Sequence, residues 1–207
     1  MNNLSEYIEE EGKLAVVNVG YPSTLGEIGV HAKSLMSVLK HLDGVEKVNF
    51  VAHSMGNIVI RHCLLDIESL PKDQRPQLGF GRMVMIAPPN HGASAADTFA
   101  DSKLVQAVAG EPLQQLAPGK GWDSLKQRLA VPKFEFGIIA GGQGDNEGYL
   151  DAIPGDDDML LSVGTTKLAG ASDFALVKGI HQTLPKNEQV QQYVVRFLEK
   201  GYFISPR

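Results

Sequence analysis

One stretch of the sequence, residues 48–61, places the tightest constraint on the fold. It opens with a short apolar run, Val48 to Ala52, of the kind that forms a strand buried on both faces. Small residues then surround a serine, Ser54, and apolar residues recur at helical spacing from Ile58 onwards. The stretch therefore predicts a strand, a sharp turn and a helix, with Ser54 at the turn.

The predicted turn also indicates chemistry at Ser54. A sharp strand-to-helix turn strains the serine backbone and lifts its hydroxyl clear of the sheet, and it needs the small residues found at positions 52 and 56. The turn places Ser54 at a helix N-terminus, where the Met55 N–H can donate to an oxyanion on a bound acyl group. The alternative is a serine that only caps the helix. In this context the pattern is typical of a nucleophile.

Composition describes one ordinary globular domain. The 207 residues are 43% hydrophobic and 21% charged, enough for a sizeable core, and the net charge of -5 argues against nucleic acid as a partner. A single cysteine, Cys63, allows no internal disulfide, and no apolar run approaches the roughly 20 residues of a membrane span. Since no signal sequence follows Met1, we expect a cytoplasmic protein unless the natural N-terminus lies upstream.

Apolar runs alternate with helical patterns along the chain. Besides the strand before Ser54, strands are predicted at 14–19, 82–87, 134–140 and 174–177, and helices at 4–10, 24–42 and 187–200. This alternation predicts an α/β fold with a doubly wound, mostly parallel sheet and helices on both faces. Residues 93–131 carry interrupted helical signals with enough apolar side chains to line a pocket. We interpret them as a small helical cap, and plain helical packing on the sheet is the alternative.

A serine nucleophile needs a base within hydrogen-bond reach, and the base needs an orienting acid. His181 is the candidate base because it follows the last predicted strand, where a loop at the carboxyl end of the sheet can reach Ser54. His53 precedes Ser54 on the strand, so its side chain is predicted to point away and to serve packing. His91 follows the strand at 82–87 and is a candidate substrate contact.

The acid is expected in the acidic loop that ends at Asp158. Asp158 is favoured because it directly precedes the apolar run 159–161, which ties it to ordered structure, and Asp157 is the alternative. The carboxylates of this loop lack the alternating spacing of a calcium site, and the Gly-Gln-Gly run at 142–144 lacks the third glycine and the helix of a dinucleotide loop. We therefore expect neither a metal nor a cofactor.

With these residues placed, the chain resembles the bacterial α/β-hydrolase lipases and esterases, in particular the lipase-like or GPI-inositol-deacylase-like group. The most specific matches are Ala-His-Ser-Met-Gly at 52–56 and Ala-Pro-Pro-Asn-His-Gly at 87–92. Further matching stretches lie at 19–24, 158–163 and 179–181. Together they span most of the chain.

The resemblance implies an α/β-hydrolase fold with Ser54 as nucleophile, His181 as base, Asp158 as acid and the Met55 amide as oxyanion donor. It implies cleavage of carboxylic esters through an acyl-enzyme, with a small-molecule or lipid ester as substrate and no cofactor. Tyr21 becomes a second candidate substrate contact. The alternatives are a weak or inactive hydrolase-like binding module, a truncated product, and an acyltransferase.

One departure from the family concerns the sheet. Related hydrolases begin with a strand ending in a His-Gly loop, which supplies a second oxyanion amide from the middle of the sheet, and no such loop occurs near the start of this chain. The absent strand would separate the strands at 14–19 and 48–52. We expect these two to pair directly and to bring the loop at 20–23 beside Ser54. A second chain filling the gap in a homo-oligomer, or a longer natural N-terminus, is the alternative.

Overall fold

The computed structural model describes residues 1–93 and 110–204. The described strands are β1 (Lys47–His53), β2 (Gly79–Ile86), β3 (Phe136–Gly142) and β4 (Asp173–Lys178). They form one parallel sheet, and their order in space follows the chain: β1-β2-β3-β4. The carboxyl ends of all four strands therefore lie along the same edge of the sheet.

Helices flank and connect the strands. They are α1 (Asn2–Gly12), α2 (Ile28–Lys40), α3 (Met55–Ser69), α4 (Glu111–Leu116), α5 (Lys120–Lys126), α6 (Val163–Thr166) and α7 (Glu188–Lys200). Short 3-10 turns lie at Lys72–Gln74 and His181–Lys186. Within the ranges that the structure describes, no helix combines the length and the apolar character that crossing a bilayer requires.

Apolar side chains cover both faces of the sheet. On one face α1 and α7 contribute Leu4 and Phe197 to a cluster that includes residues of β2, β3 and β4. On the other face α2 and α3 contribute Leu39 and Leu64 to a cluster with β1, β2 and β3. Since burying one such side chain contributes about 1.5–3 kcal/mol, these two clusters hold the helices on the sheet. The prediction of a doubly wound parallel sheet with helices on both faces is confirmed.

The predicted strand at 14–19 is wrong, and so is its pairing with β1. That segment is neither helix nor strand, and among the described residues β2 is the one strand that pairs with β1. A strand is held by hydrogen bonds to a neighbour, and here the segment makes packing contacts instead. Leu14 and Val16 pack against the α1–α7 side of the core, while Val17 and Val19 are exposed.

The helix that precedes β1 begins later than predicted. α2 begins at Ile28 rather than at residue 24, because the segment before it folds into a turn. The Leu25 N–H donates to the Pro22 carbonyl at 3.0 Å, and Gly26 has a φ of 76°, outside the helical region. The spacing of a capping box was present in the sequence, but the glycine allows the chain to turn before the helix starts.

Part of the predicted cap at 93–131 lies outside the described residues, namely 94–109. In the remainder, α4 and α5 contribute Leu116 and Leu125 to an apolar cluster that also contains Ile58 of α3. Such contacts suit both a cap and plain helical packing. The organisation as one domain with a small cap therefore stays a prediction.

Candidate active site

Ser54 lies at a strained turn between β1 and α3. Its φ and ψ are 54° and -130°, a region that residues with a side chain rarely adopt and that costs about 1–3 kcal/mol. The turn is tied to the next strand, because the Ser54 N–H donates to the Ile86 carbonyl at 2.9 Å. The predicted strand, sharp turn and helix around this serine are confirmed.

Asn57 braces the turn from within α3. Its side-chain amide donates to the carbonyls of Ser54 at 2.9 Å and of Ile86 at 3.2 Å, and the residue is fully buried. The sequence pattern alone indicated no role for Asn57. The structure adds a reason for an asparagine here, since one side chain connects the serine turn to the end of β2.

His181 connects the serine to a carboxylate. It opens the 3-10 turn after β4, and its Nε2 lies 2.8 Å from Ser54 Oγ. Its Nδ1 lies 2.7 Å from Asp158 Oδ2, and the His181 side chain is almost completely buried. With Nδ1–H donating to the carboxylate, Nε2 is left to accept the Ser54 hydroxyl proton. The structure thus brings together the three side chains that the sequence predicted to converge.

Asp158 is held in place by its own loop. Its Oδ1 accepts the N–H groups of Leu160 at 3.1 Å and Leu161 at 2.7 Å, while its carbonyl accepts the His181 N–H at 2.8 Å. The carboxyl group is fully buried, so these donors replace the water that an anion would otherwise bind. One oxygen is thereby committed to the loop and the other to His181.

The two preceding carboxylates bind backbone rather than His181. Asp157, also fully buried, accepts N–H groups from Tyr149, Leu150 and Met159 at 2.7–3.0 Å. Asp156 accepts the N–H groups at positions 143 and 144. These contacts hold the glycine-rich loop after β3 in place. The alternative acid, Asp157, makes no hydrogen bond to His181, whose Nδ1 bonds Asp158 instead.

Gly141 of β3 allows the segments that carry Asp158 and His181 to pack closely against this strand. A Cβ at this position would lie 2.8 Å from Leu184 Cδ1 and 2.9 Å from both Asp158 Cβ and the Gly179 carbonyl oxygen. These neighbours come from the loop of the candidate acid and from the segment on either side of His181. The absent side chain is therefore what lets the acid and the base approach the same strand.

We expect Gly141→Ala to lower the free energy of unfolding by about 1–3 kcal/mol, because the new methyl group forces these segments apart. Gly12→Ala is the matched control, since a Cβ there meets Val195 and Ile8 at ordinary contact distances of 3.6–3.8 Å. Urea unfolding followed by circular dichroism measures both variants. A Gly141→Ala protein as stable as wild type would contradict this account of the close approach.

His53 makes a contact that the sequence did not indicate. Its Nε2 lies 2.9 Å from the carbonyl oxygen of His181, and the two imidazole rings are 4.8 Å apart. Burial, with the positive charge of His181 as a smaller cause, lowers the pKa of His53 to about 3. Alternation along the strand predicted that the side chain turns away from the serine hydroxyl, but it could not show which loop lies there.

Met55 and Tyr21 lie beside the turn that carries Ser54. Met55 is the first residue of α3, so its N–H has no acceptor within the helix. The Tyr21 hydroxyl lies 3.6 Å from the point that a Cβ on Gly56 would occupy, and burial raises the pKa of Tyr21. The loop at 20–23 therefore reaches the serine turn, as expected, although the strand before it does not form.

His91 is exposed in the turn after β2, and its N–H donates to the Thr165 carbonyl at 3.2 Å. No contact joins it to Ser54 or His181 among the residues that the structure describes. Its role as a substrate contact stays a prediction. In the same described ranges, no group of three or more His, Cys, Asp or Glu side chains is arranged to hold a metal ion.

Comparison with known proteins identifies the family of this chain. A family described as "Alpha/beta hydrolase of unknown function (DUF915)" matches residues 7–201. The chain belongs to this family. Its parallel sheet with flanking helices is a shortened α/β-hydrolase fold, and the resemblance to α/β-hydrolase lipases and esterases is confirmed. No curated protein matches the sequence.

Several solved structures share the fold at low sequence identity. The product of gene lin2722 from Listeria innocua is 14% identical, with a TM-score of 0.62 over 96% of this chain and 88% of that one. The mature lipase BlEst2 from Bacillus licheniformis is 16% identical, with a TM-score of 0.56 over 80% of this chain and 71% of that one. Phospholipase PlaB from Legionella pneumophila, in complex with thio-NAD, is 16% identical, with a TM-score of 0.63 over 95% of this chain and 54% of that one.

Proposed function

We propose that this α/β hydrolase cleaves carboxylic esters by covalent catalysis, with Ser54 as nucleophile, His181 as base and Asp158 as acid. The observation that carries the proposal is the continuous hydrogen-bond chain from Ser54 Oγ through both ring nitrogens of His181 to Asp158, with distances of 2.8 and 2.7 Å. These distances are within the range expected for a nucleophile and its base.

The reaction follows from what each group can donate and accept. Ser54 Oγ attacks the ester carbonyl while His181 Nε2 takes its proton, and the Asp158 carboxylate stabilises the imidazolium that forms. His181 then gives the proton to the departing alcohol, which leaves an acyl group on Ser54. Water attacks this acyl-enzyme with His181 again as base, and the acid is released. No metal or cofactor takes part in this sequence of steps.

The surroundings of Ser54 favour an ester with an apolar acyl group. Met55, Tyr21 and Leu160 are partly buried and belong to, or pack against, one apolar cluster that includes Leu161 of the acid loop. A small-molecule or lipid ester with a hydrocarbon chain fits such surroundings. Acyl transfer to an alcohol other than water would use the same three side chains.

The open edge of β1 supports a slow enzyme as the second candidate. In the described residues no strand lies beyond β1, where related hydrolases place the His-Gly loop. Losing one oxyanion donor costs about 2.7–4 kcal/mol, or roughly a hundred- to a thousandfold in kcat. With Met55 as its one backbone donor, the protein would be a weak hydrolase or a binding module.

A fluorophosphonate probe tests the proposal without knowledge of the substrate, because it reacts with an activated serine. We expect the folded protein to become covalently labelled at Ser54, with the adduct located by peptide mass spectrometry. Heat-denatured protein is the control and should stay unlabelled, since activation depends on His181. Folded protein that stays unlabelled, or that is labelled at another serine, would contradict the assignment of Ser54.

A further inference from the structure

His53, the last residue of β1, contacts both the main chain and the ring of the candidate base, His181. Its Nε2 lies 2.9 Å from the backbone oxygen of His181. The two rings are in contact, with centroids 4.8 Å apart and planes tilted by 45°. The strand that delivers the nucleophile therefore also contacts the main chain of the base.

The topology explains why such a contact matters. His181 follows β4, whereas Ser54 follows β1, and these are the outermost strands of the described sheet. Three strand spacings separate them, or about 14 Å at 4.7–4.9 Å for each spacing. The short segment from Lys178 to His181 and the two side chains together cover that distance, and they bring His181 Nε2 within 2.8 Å of Ser54 Oγ. The hydrogen bond from His53, at the end of β1, to the His181 carbonyl holds this segment beside the strand that carries Ser54.

The backbone of His181 is held from both sides. Its N–H donates to the Asp158 carbonyl at 2.8 Å, and its carbonyl lies 2.9 Å from His53 Nε2. Because a carbonyl only accepts, His53 must carry a proton on Nε2. One hydrogen bond thus connects the His181 backbone to the loop that carries Asp158, and the other connects it to β1, the strand that leads to Ser54.

The charge state of His53 suits this arrangement. Burial and the neighbouring charge of His181 lower its pKa to about 3, so His53 stays neutral at pH values where esters are cleaved. A second positive ring 4.8 Å away would oppose the imidazolium that His181 becomes during the reaction. A neutral His53 can donate its hydrogen bond to the His181 carbonyl without this repulsion.

We infer that His53 is a positioning residue, which keeps His181 within hydrogen-bond distance of Ser54 by donating Nε2–H to the His181 carbonyl. The inference rests on the proposed function, in which His181 is the base. It goes beyond that function because it assigns a role to the residue before the nucleophile. A side chain that only filled space would support the fold equally well without donating a proton.

Substitution separates the hydrogen bond from the ring. His53→Phe keeps a ring and removes the donor, whereas His53→Gln keeps an N–H donor of similar reach. We expect His53→Phe to lower kcat for a p-nitrophenyl ester by about 10- to 100-fold with little change in KM, because a misplaced base slows chemistry rather than binding. His53→Gln should recover most of the loss. His41→Phe, at an exposed histidine at the C-terminal end of α2, is the matched control and should leave kcat unchanged.

Nitrogen-15 NMR of the histidine rings in the wild-type protein tests the same contact without any turnover. We expect His53 to show the neutral Nε2–H tautomer, without titration between pH 5 and 8. An Nδ1–H tautomer, or titration near the ordinary histidine pKa, would overturn the inference even if His53→Phe did not fold.

The kinetic results separate this inference from the proposed function. A folded His53→Phe protein with the kcat of wild type, or a His53→Gln protein as slow as His53→Phe, would overturn the positioning role while leaving Ser54 as nucleophile. A wild-type protein that the fluorophosphonate probe does not label would instead contradict the proposed function. The NMR result would then still report whether His53 donates to His181.

Discussion

Ser54→Ala is expected to lose about a millionfold in ester turnover while it folds as the wild type does. The magnitude is that measured for removal of the nucleophile in a well-studied protease. The serine hydroxyl is the only group of Ser54 that the substitution removes, and alanine can occupy the same backbone turn. The chemistry should therefore disappear without loss of structure. Hydrolysis of a p-nitrophenyl ester, corrected for the buffer rate, measures the loss of activity. Thermal unfolding shows whether the variant keeps the stability of the wild type.

Ser34→Ala is the matched control for this experiment. Ser34 lies on the exposed side of α2, where its hydroxyl donates to the Val30 carbonyl of the preceding turn at 3.1 Å. It should keep wild-type turnover. If Ser54→Ala and the wild type hydrolyse the ester at the same rate above buffer, the activity comes from another group and the proposed mechanism is wrong.

Asp158→Asn is expected to lower kcat about 10⁴-fold, because it changes which nitrogen of His181 carries the proton. The N–H groups of Leu160 and Leu161 both point at Oδ1 of residue 158, so the oxygen of the asparagine amide would take that place. Its NH₂ group would then face His181 Nδ1 and donate to it. His181 would carry its proton on Nε2 and could not accept one from Ser54.

Asp157→Asn separates the two adjacent carboxylates. Asp157 accepts N–H groups on both of its oxygens, so an asparagine there places an NH₂ group against backbone donors. We expect a loss of about 1–3 kcal/mol in the free energy of unfolding, with most of kcat retained. Steady-state kinetics and urea unfolding of both variants give the comparison. A 10⁴-fold loss in Asp157→Asn with an active Asp158→Asn would move the acid to position 157.

Local sequence patterns predicted much of the fold. The apolar run before Ser54, the small residues around it and the helical spacing after it predicted the turn, because each depends on neighbours within a few residues. The alternation of strands and helices predicted a parallel sheet, and the carboxyl ends of parallel strands share one edge. Chain order then predicted that His181 and an acidic loop would meet Ser54 there.

The strand at 14–19 shows where local patterns fail. Its apolar residues have strand character, but a strand needs a partner, and whether one is in reach depends on the rest of the molecule. In the structure the apolar side chains at Leu14 and Val16 pack on the core without a ladder. The apolar pattern predicted the packing of these two side chains, but it was wrong about the hydrogen-bonded strand and about Val17 and Val19, which are exposed.

The sequence by itself determined the strained turn at Ser54, the parallel sheet and the candidates for its partners, because short-range spacing encodes strands, helices and turns. Only the tertiary structure decided that Asp158 rather than Asp157 faces His181, and that His53 holds the His181 carbonyl. These contacts join residues 23 and 128 positions apart in the chain. They depend on how loops from different strands cross the edge of the sheet, and no periodicity along the chain records that crossing.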